Sequence, residues 1–279
     1  MQKSFKEQVA TLYIVSTPIG NLKDMTYRAV EILNQVDAIL AEDTRTSSIL
    51  LNHYHIHKPL MSYHDFNKDE QTKRVLSMLE EGKHLALISD AGTPGISDPG
   101  YELIKEVIHA GYHVVSIPGA SAILAALVTS GLMIQPFTFI GFLSKKQQTA
   151  KQTLEKYKHR QETLVIYESP NRVQKTIEFI YNILGNRNIS IARELTKTFE
   201  TIIRTNLEQA LQMEHINKGE YVFIIEGEYE QMSFENEPIQ DHFNRYLKQG
   251  YNEKDAMKLV AKDRNVHKNE VYQIVKNKQ

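Results

Sequence analysis

Apolar positions in the first half of the chain alternate between two periods. Leu12-Tyr-Ile-Val-Ser16, Ala38-Ile-Leu-Ala41, Leu85-Ala-Leu-Ile88 and Val114-Val-Ser-Ile117 are short, nearly unbroken apolar runs, as expected of strands buried on both faces. Between such runs, Asn67 to Glu81 sets Val75, Leu76 and Leu79 at helical spacing, and Tyr101 to Ala110 does the same with Leu103, Ile104, Val107 and Ile108. The alternation from Leu12 to Gly131 predicts βαβ units and a largely parallel sheet, here assigned to a first α/β domain over residues 1–130. The pattern then changes. Phe137 to Ile140, Thr163 to Tyr167, Asn188 to Ala192, Thr198 to Arg204 and Glu220 to Ile225 read as strands, some only a few residues apart, which predicts antiparallel pairing in a second α/β domain, 131–228.

Beyond this the chain carries an acidic stretch, taken as a linker over 229–238, and three amphipathic stripes. Phe243, Tyr246 and Leu247 form the first stripe, Ala256, Leu259 and Val260 the second, and Val271, Ile274 and Val275 the third, with Asn252 placed to cap the second helix. Residues 239–279 hold nine Lys or Arg against five Asp or Glu. Three short helices with a tight connection at Asn265-Val-His267 suggest a helix-turn-helix-like unit, and its basic balance points to nucleic acid, the alternative being a bundle that only packs or dimerises.

Each first-half strand runs into a polar or glycine-bearing loop. These are Thr17-Pro-Ile-Gly-Asn-Leu22, Glu42-Asp-Thr-Arg-Thr-Ser47, Ser89 to Gly100, and Pro118-Gly-Ala-Ser-Ala122. In a parallel sheet such loops share one edge, where ligands bind. The loop Ser89-Asp-Ala-Gly-Thr-Pro-Gly-Ile-Ser-Asp-Pro-Gly100 adds carboxylates to backbone held open by three glycines and two prolines. The four loops together imply one composite binding site.

With 279 residues the chain has room for more than one domain, and its net charge of −1 names no partner by itself. The absence of cysteine excludes disulfides and thiolate metal sites. Met1 to Ala10 lacks an apolar signal core, and the run Ala122 to Val128 is too short to span a bilayer, so a soluble cytoplasmic protein without membrane partners is expected. There is no G-x-G-x-x-G fingerprint, Walker A sequence or G-x-S-x-G elbow. His53, His55 and His57, with His64 nearby, imitate a metal cluster, but alternate residues share a face only in a strand, so solvent-facing histidines are expected. Phe137, Phe139 and Phe142 read as strand core, with base stacking as the alternative.

Several stretches carry a family resemblance. They are Val15-Ser-Thr-Pro-Ile-Gly-Asn-Leu22, Ala41-Glu-Asp-Thr-Arg45, the string Ser89 to Gly100, Ile117-Pro-Gly-Ala-Ser-Ala122, Phe139-Ile-Gly-Phe-Leu143, Tyr167-Glu-Ser-Pro-Asn-Arg172, Ala192-Arg-Glu-Leu-Thr-Lys197 with Phe199-Glu200, and Lys218-Gly-Glu220. In this order they resemble the tetrapyrrole methylase superfamily, and most closely its branch that methylates a cytidine ribose 2′-hydroxyl in the decoding centre of 16S ribosomal RNA. Ser144-Lys-Lys146 departs from the family, which usually carries a proline in that loop. The resemblance implies a two-domain α/β tetrapyrrole-methylase-like fold with a parallel-sheet domain, a mixed-sheet domain and a small helical appendage. It also implies S-adenosylmethionine as methyl donor with no metal, 16S rRNA or the 30S subunit as substrate, and a homodimer. Carried over position by position, Pro18 and Gly20 border the cofactor, Asp90, Gly92, Ile96 and Asp98 line it, and Ser121 and Ala122 offer main-chain contacts opposite.

Carboxylates suit an ammonium and a sulfonium, and free amides suit adenine and carboxylate edges. Asp98 could instead cap the helix beginning at Tyr101. A ribose hydroxyl is a weak nucleophile, so a base or cation is sought among Glu42, Asp43, Arg193 and Lys197, with Glu168 and Glu194 as further candidates. Arg45, Arg172 and Arg193 could hold phosphates, whereas a structural salt bridge explains Glu168 and Arg172 equally well. The competing functions are a methyltransferase for a tetrapyrrole-type small molecule, which needs no basic helical tail, and a ligand-sensing nucleic-acid-binding regulator. Residues Lys268 to Lys276 offer only Asn269 and Gln273 for base reading, which weakens the second.

Overall fold

The structure, a computed structural model, describes residues 2–3, 9–228, 237–248, 250–264 and 266–276. By compactness the chain divides into two units, 1–228 and 229–279. Strands β1 (Thr11–Val15), β2 (Ala38–Ala41), β3 (Leu60–Ser62), β4 (Leu85–Ile88) and β5 (His113–Ile117) form a wholly parallel sheet in the order β3-β2-β4-β1-β5. Helices α1 (Tyr27–Gln35), α2 (Thr44–His53), α3 (Lys68–Glu80), α4 (Tyr101–His109) and α5 (Ala122–Thr129) connect or follow the strands. Every residue of β2 and β4 is buried, because side chains on both faces meet helices. Val15, Ile39 and Ile88 pack with Ala29 and Leu33 of α1 on one face, while Leu12, Leu40 and Leu87 pack with Val75 and Leu79 of α3 and Leu103 and Val107 of α4 on the other. Strand β3 was not legible in sequence. It has three residues and pairs with β2 alone at the sheet edge, too short a segment to display a period.

The second sheet comprises β6 (Phe137–Phe142), β7 (Thr163–Glu168), β8 (Asn188–Arg193), β9 (Thr201–Asn206) and β10 (Tyr221–Ile225), in the order β6-β7-β10-β8-β9. It is mixed, as the family resemblance implied: β6 runs parallel to β7, and the other pairings are antiparallel, among them β8 with β9, whose short connection predicted it. The strand expected from Thr198 starts at Thr201 instead, because the Glu200 amide donates to the Lys197 carbonyl at 3.0 Å and closes a turn just before it. Helices α6 (Gln147–Glu155), α7 (Val173–Leu184) and α8 (Leu207–Leu211) cover one face, where Leu154, Ile177, Ile180 and Leu207 meet Leu164, Ile166, Ile191 and Phe223. The opposite face takes α5: Ala126 and Leu127 pack with Val165, Ala192, Val222 and Ile224, and Ile19 and Leu195 join the same cluster. Helix α5 therefore couples the two sheets and fixes the gap between the loop edge of the first and the open face of the second.

The second unit has three helices, α9 (Ile239–Lys248), α10 (Glu253–Asp263) and α11 (Lys268–Lys276), around Phe243, Ala256, Val260 and Val271. Asn252 caps α10, its Oδ1 accepting from the Asp255 amide at 3.0 Å. Of the linker expected over 229–238, residues 229–236 lie outside the described residues, as does Asn265 in the tight connection. Among the described residues no helix is long and apolar enough to cross a membrane.

Candidate cofactor and substrate site

The loops after β1 and β4 are joined to each other. The Thr17 and Gly92 amides donate to one another's carbonyls at 2.8 and 3.1 Å, the Thr17 hydroxyl donates to the Ser89 carbonyl at 3.0 Å, and the Ser16 and Thr93 hydroxyls lie 2.8 Å apart. The β5 loop closes against β1 so tightly that a Cβ on Gly119 would lie 2.9 Å from that of Ser16. In the long loop Gly92 has φ +78° and Gly95 +84°, and Ser97 accepts φ +66° despite its side chain.

Beneath these loops, against the second sheet, lies a cavity of about 620 Å³. Of the residues expected at the cofactor, Gly92, Ile96, Asp98, Ser121 and Ala122 line it, as does Glu168 of the catalytic candidates. Pro18, Gly20 and Asp90 do not, although Ile19, next to Pro18 and Gly20, and Ala91, next to Asp90, do. Pro18 is buried and Asp90 exposed, its Oδ1 accepting from the Asp43 amide at 3.3 Å. Asp98 is not a cap: Gly100 occupies the cap of α4, and no side chain caps that helix. Ser121 does cap α5, accepting from the Leu124 amide.

The aromatic side of the cavity departs in part from the expected strand core, which Phe139 alone of the three joins. Phe137, Phe139 and Phe142 all line the cavity, and Phe142 is 55% exposed rather than core. Simple alternation would put Phe142 on the opposite face from Phe139. A register shift between Phe139 and Gly141, with Gly141 at φ +75°, adds the residue that turns it back. Both rings then meet Tyr167 edge to face, at 4.9 and 5.6 Å. Burial, then the Asp98 carboxylate, pushes the Tyr167 hydroxyl up to about 12, so it stays a neutral donor. Tyr167, Leu195, Gly219 and Glu220 were not assigned roles from sequence, and only Gly219, between two charged residues before a strand, carried a local signal.

The candidate catalytic groups fall into two sets. Glu42 and Asp43 leave β2 beside Asp90. Burial, followed by Asp90, raises the Glu42 carboxyl, while burial, followed by Glu42, lifts Asp98 to about 6. Asp43 behaves oppositely. It caps α2 through the Arg45 amide at 2.9 Å and is gripped by the Arg45 guanidinium at 2.7 and 3.1 Å, which holds it down to about 2. The second set borders Gly20. Lys197 Nζ donates to Glu194 and Glu220, both at 2.9 Å, and its stem lies where a Gly20 Cβ would be, 2.5 Å from Cγ. Burial pulls the Lys197 ammonium down, but these carboxylates outweigh it and hold the group above its ordinary value, a fixed cation rather than a base. Glu194 and Thr196 hold left-handed backbone, φ +52° and +67°, and the Asn21 amide donates to the Thr196 hydroxyl at 3.1 Å, tying this turn to the β1 loop.

Arg193 Nε is spent on the Lys218 carbonyl at 2.8 Å. Arg172 donates twice to the Leu143 carbonyl at 3.1 Å, and Glu168 is fully buried, accepting from Thr176 at 2.6 Å and the Ser169 amide at 2.8 Å, so this pair braces β7 against its helix. Arg45, its side chain 89% exposed, remains reachable from solvent. His53 ends α2 and His55 turns at φ +56°, so the three alternating histidines share no strand face.

A parallel sheet whose loop edge closes over a mixed sheet therefore frames one cavity. Residues 11–211 match the family Tetrapyrrole (Corrin/Porphyrin) Methylases, and the chain belongs to that family. It is 46% identical to "Ribosomal RNA small subunit methyltransferase I" of Halalkalibacterium halodurans, over 98% of both chains, and 43% identical to the protein of that name in Bacillus subtilis, over 97% of this chain and 96% of that one. In fold it is similar to a diphthine synthase (TM-score 0.64, 13% identity, 81% of this chain and 93% of that one) and to a cobalt precorrin-4 methyltransferase (0.58, 19%, 77% and 94%).

Proposed function

We propose that the chain methylates small-subunit ribosomal RNA with S-adenosylmethionine, placing one methyl group on the ribose 2′-oxygen of a decoding-centre cytidine, in the cytoplasm, as a homodimer, and without a metal. The observation that carries the reading is the cavity. Its volume lies within the roughly 300–1,000 Å³ of small-ligand sites, and its walls are largely apolar with polar side chains such as Asp98 and Ser121 among them. Phe137, Phe139, Phe142 and Tyr167 suit a planar base, Asp98 a cation, and the Gly92 and Ser121–Ala122 backbone the polar edges. Bound there, S-adenosylmethionine supplies an electrophilic methyl carbon. Pro18 and Gly20 shape the border of this site, Asp90 orders the Asp43 amide at its edge, Glu42 accepts the hydroxyl proton, and Lys197 and the exposed Arg45 face the anionic substrate. The ribosomal substrate is drawn from the names of the relatives, and the cytidine ribose from the resemblance in the sequence motifs. Residues 1–130 supply the loops, 131–228 the floor, and the basic helices of 239–279 an RNA-binding module on an acidic tether.

The test is tritium transfer from labelled cofactor to 30S subunits, free 16S rRNA and duplex DNA, with mass spectrometry of the digested product. A 2′-O-methylcytidine is expected. A base-methylated nucleoside, transfer only to a tetrapyrrole, or loss of activity in EDTA would overturn the reading.

The raised carboxyl of Asp98 gives a pH signature. Ionised Asp98 should hold the cationic ligand, so affinity is expected to fall about tenfold from pH 7 to pH 5, measured by calorimetry, and Asp98→Asn to bind weakly at both. The stability sign is the reverse. A carboxyl raised to about 6 contributes stability below its ordinary value of 3.8 that is lost as pH rises through 6. Asp98→Asn should therefore raise the melting temperature of the free protein at pH 7 and leave it unchanged at pH 3.

Truncation tests the helical unit. Glu228 ends the larger unit with its amide on the Arg160 carbonyl at 2.7 Å and a carboxylate oxygen 2.7 Å from His159. A chain ending there is expected to fold and bind cofactor, yet to bind RNA less tightly and with a shallower dependence on salt. Unchanged RNA affinity would make the tail a packing element.

A further inference from the structure

Resting on the reading of this site as an RNA methyltransferase, we propose that Phe66 is a stacking platform for an unpaired nucleobase of the substrate, beside the reacting ribose. Phe66 lies outside every motif that carries the family resemblance. It sits in the loop joining β3 to α3, and Ser62 is the register partner of Ala41, so Tyr63 and Glu42 leave adjacent strands side by side, the Tyr63 amide donating to the Ala41 carbonyl at 2.8 Å. His64 and Asp65 lie close enough to Glu42 to act on its charge. The loop thus borders the proposed proton acceptor.

The loop is held in place. Asn67 accepts from the His64 amide at 2.9 Å and donates to the Ser62 carbonyl and hydroxyl at 3.2 and 3.0 Å, its own amide donates to the His64 carbonyl at 3.0 Å, and Tyr63 is buried below. Phe66 is nevertheless 99% exposed, with the His64 ring edge-on to it at 6.0 Å. A rigid loop presenting a bare aromatic face has the preorganisation a stacking partner needs. The surroundings identify the partner. His64, Asp65, Asn67, Lys68 and Asp69 flank Phe66 along the chain, so within its own loop the ring stands among polar residues. Lys68 is engaged by Glu102 at 3.4 Å and Asp65 at 3.7 Å, so the loop offers little to a phosphate. An isolated ring in a polar rim fits a flat ligand with polar edges, an unstacked base.

The chain has no tryptophan, so Phe66→Trp installs a single reporter. Titration of this variant with 30S subunits or 16S rRNA is expected to quench its fluorescence at the concentration where methyl transfer saturates. Phe66→Ala should raise KM for RNA about tenfold or more, as loss of a base–aromatic stack does, while cofactor affinity stays at the wild-type value and Phe66→Trp retains the wild-type KM. An unchanged KM in Phe66→Ala would overturn the inference while wild-type methylation of RNA left the function standing. Quenching that follows protein concentration without RNA would make the ring a self-association contact and overturn it too. If the wild type transfers no methyl group to RNA, the functional reading falls first.

Discussion

Gly92→Val is expected to weaken S-adenosylmethionine binding by at least about a hundredfold, roughly 2.7 kcal/mol, in a chain that still folds. Gly92 sits at φ +78°, where a Cβ costs about 1–2 kcal/mol and a β-branched side chain more. It is also half of the two-way backbone pairing with Thr17 that holds the two loops together. Space separates the two effects. A Cβ there would lie 3.5 Å from Ile19 Cγ2 and 3.9 Å from the Ala120 carbonyl, ordinary contact. Gly92→Ala therefore pays the dihedral cost alone, lowering the melting temperature by a few degrees with a modest loss of affinity. The valine methyls extend beyond that Cβ, next to Ile19 and Ala120 and beside the cavity that Gly92 lines. Calorimetry on both variants, with thermal melts as the folding control, distinguishes them. Near wild-type affinity in folded Gly92→Val would move the cofactor elsewhere.

The sequence disclosed the first sheet well because parallel strands buried on both faces cannot hide. Ala38–Ala41 and Leu85–Ile88 have the limits read from their apolar runs alone. The convergence of four loops was legible for the same reason: once the strands are parallel, their carboxyl ends must share an edge. What stayed hidden depends on pairing. Phe142 reaches the cavity only because a bulge at Gly141 reverses the alternation, and β3 is too short to have a period. Asp43 and Glu42 are neighbours of identical charge, and nothing local separates their chemistry. Arg45 grips one, while burial and Asp90 act on the other. Lys197 likewise looks like any loop lysine until β10 brings Glu220 to it.

That divergence between Glu42 and Asp43 leads to the second large effect. Glu42→Gln is expected to lower kcat by about 10²- to 10⁴-fold, the range of a lost general base, with cofactor affinity within about twofold of wild type. A proton acceptor works best with a pKa near the working pH, and burial against Asp90 moves Glu42 in that direction. Asp43, held down to about 2 by Arg45, is too weak a base to replace it. Asp43→Asn keeps an oxygen to cap α2 and should cost turnover much less. Single-turnover rates on saturating 30S subunits give a further readout. The wild-type rate should climb with pH and level off once Glu42 ionises, and Glu42→Gln should remove that rise. Alignment of oxygen, carbon and sulfur can supply much of the acceleration without a base. A Glu42→Gln rate within about threefold of wild type, keeping its pH dependence, would therefore assign the reaction to positioning alone and leave the hydroxyl proton to solvent.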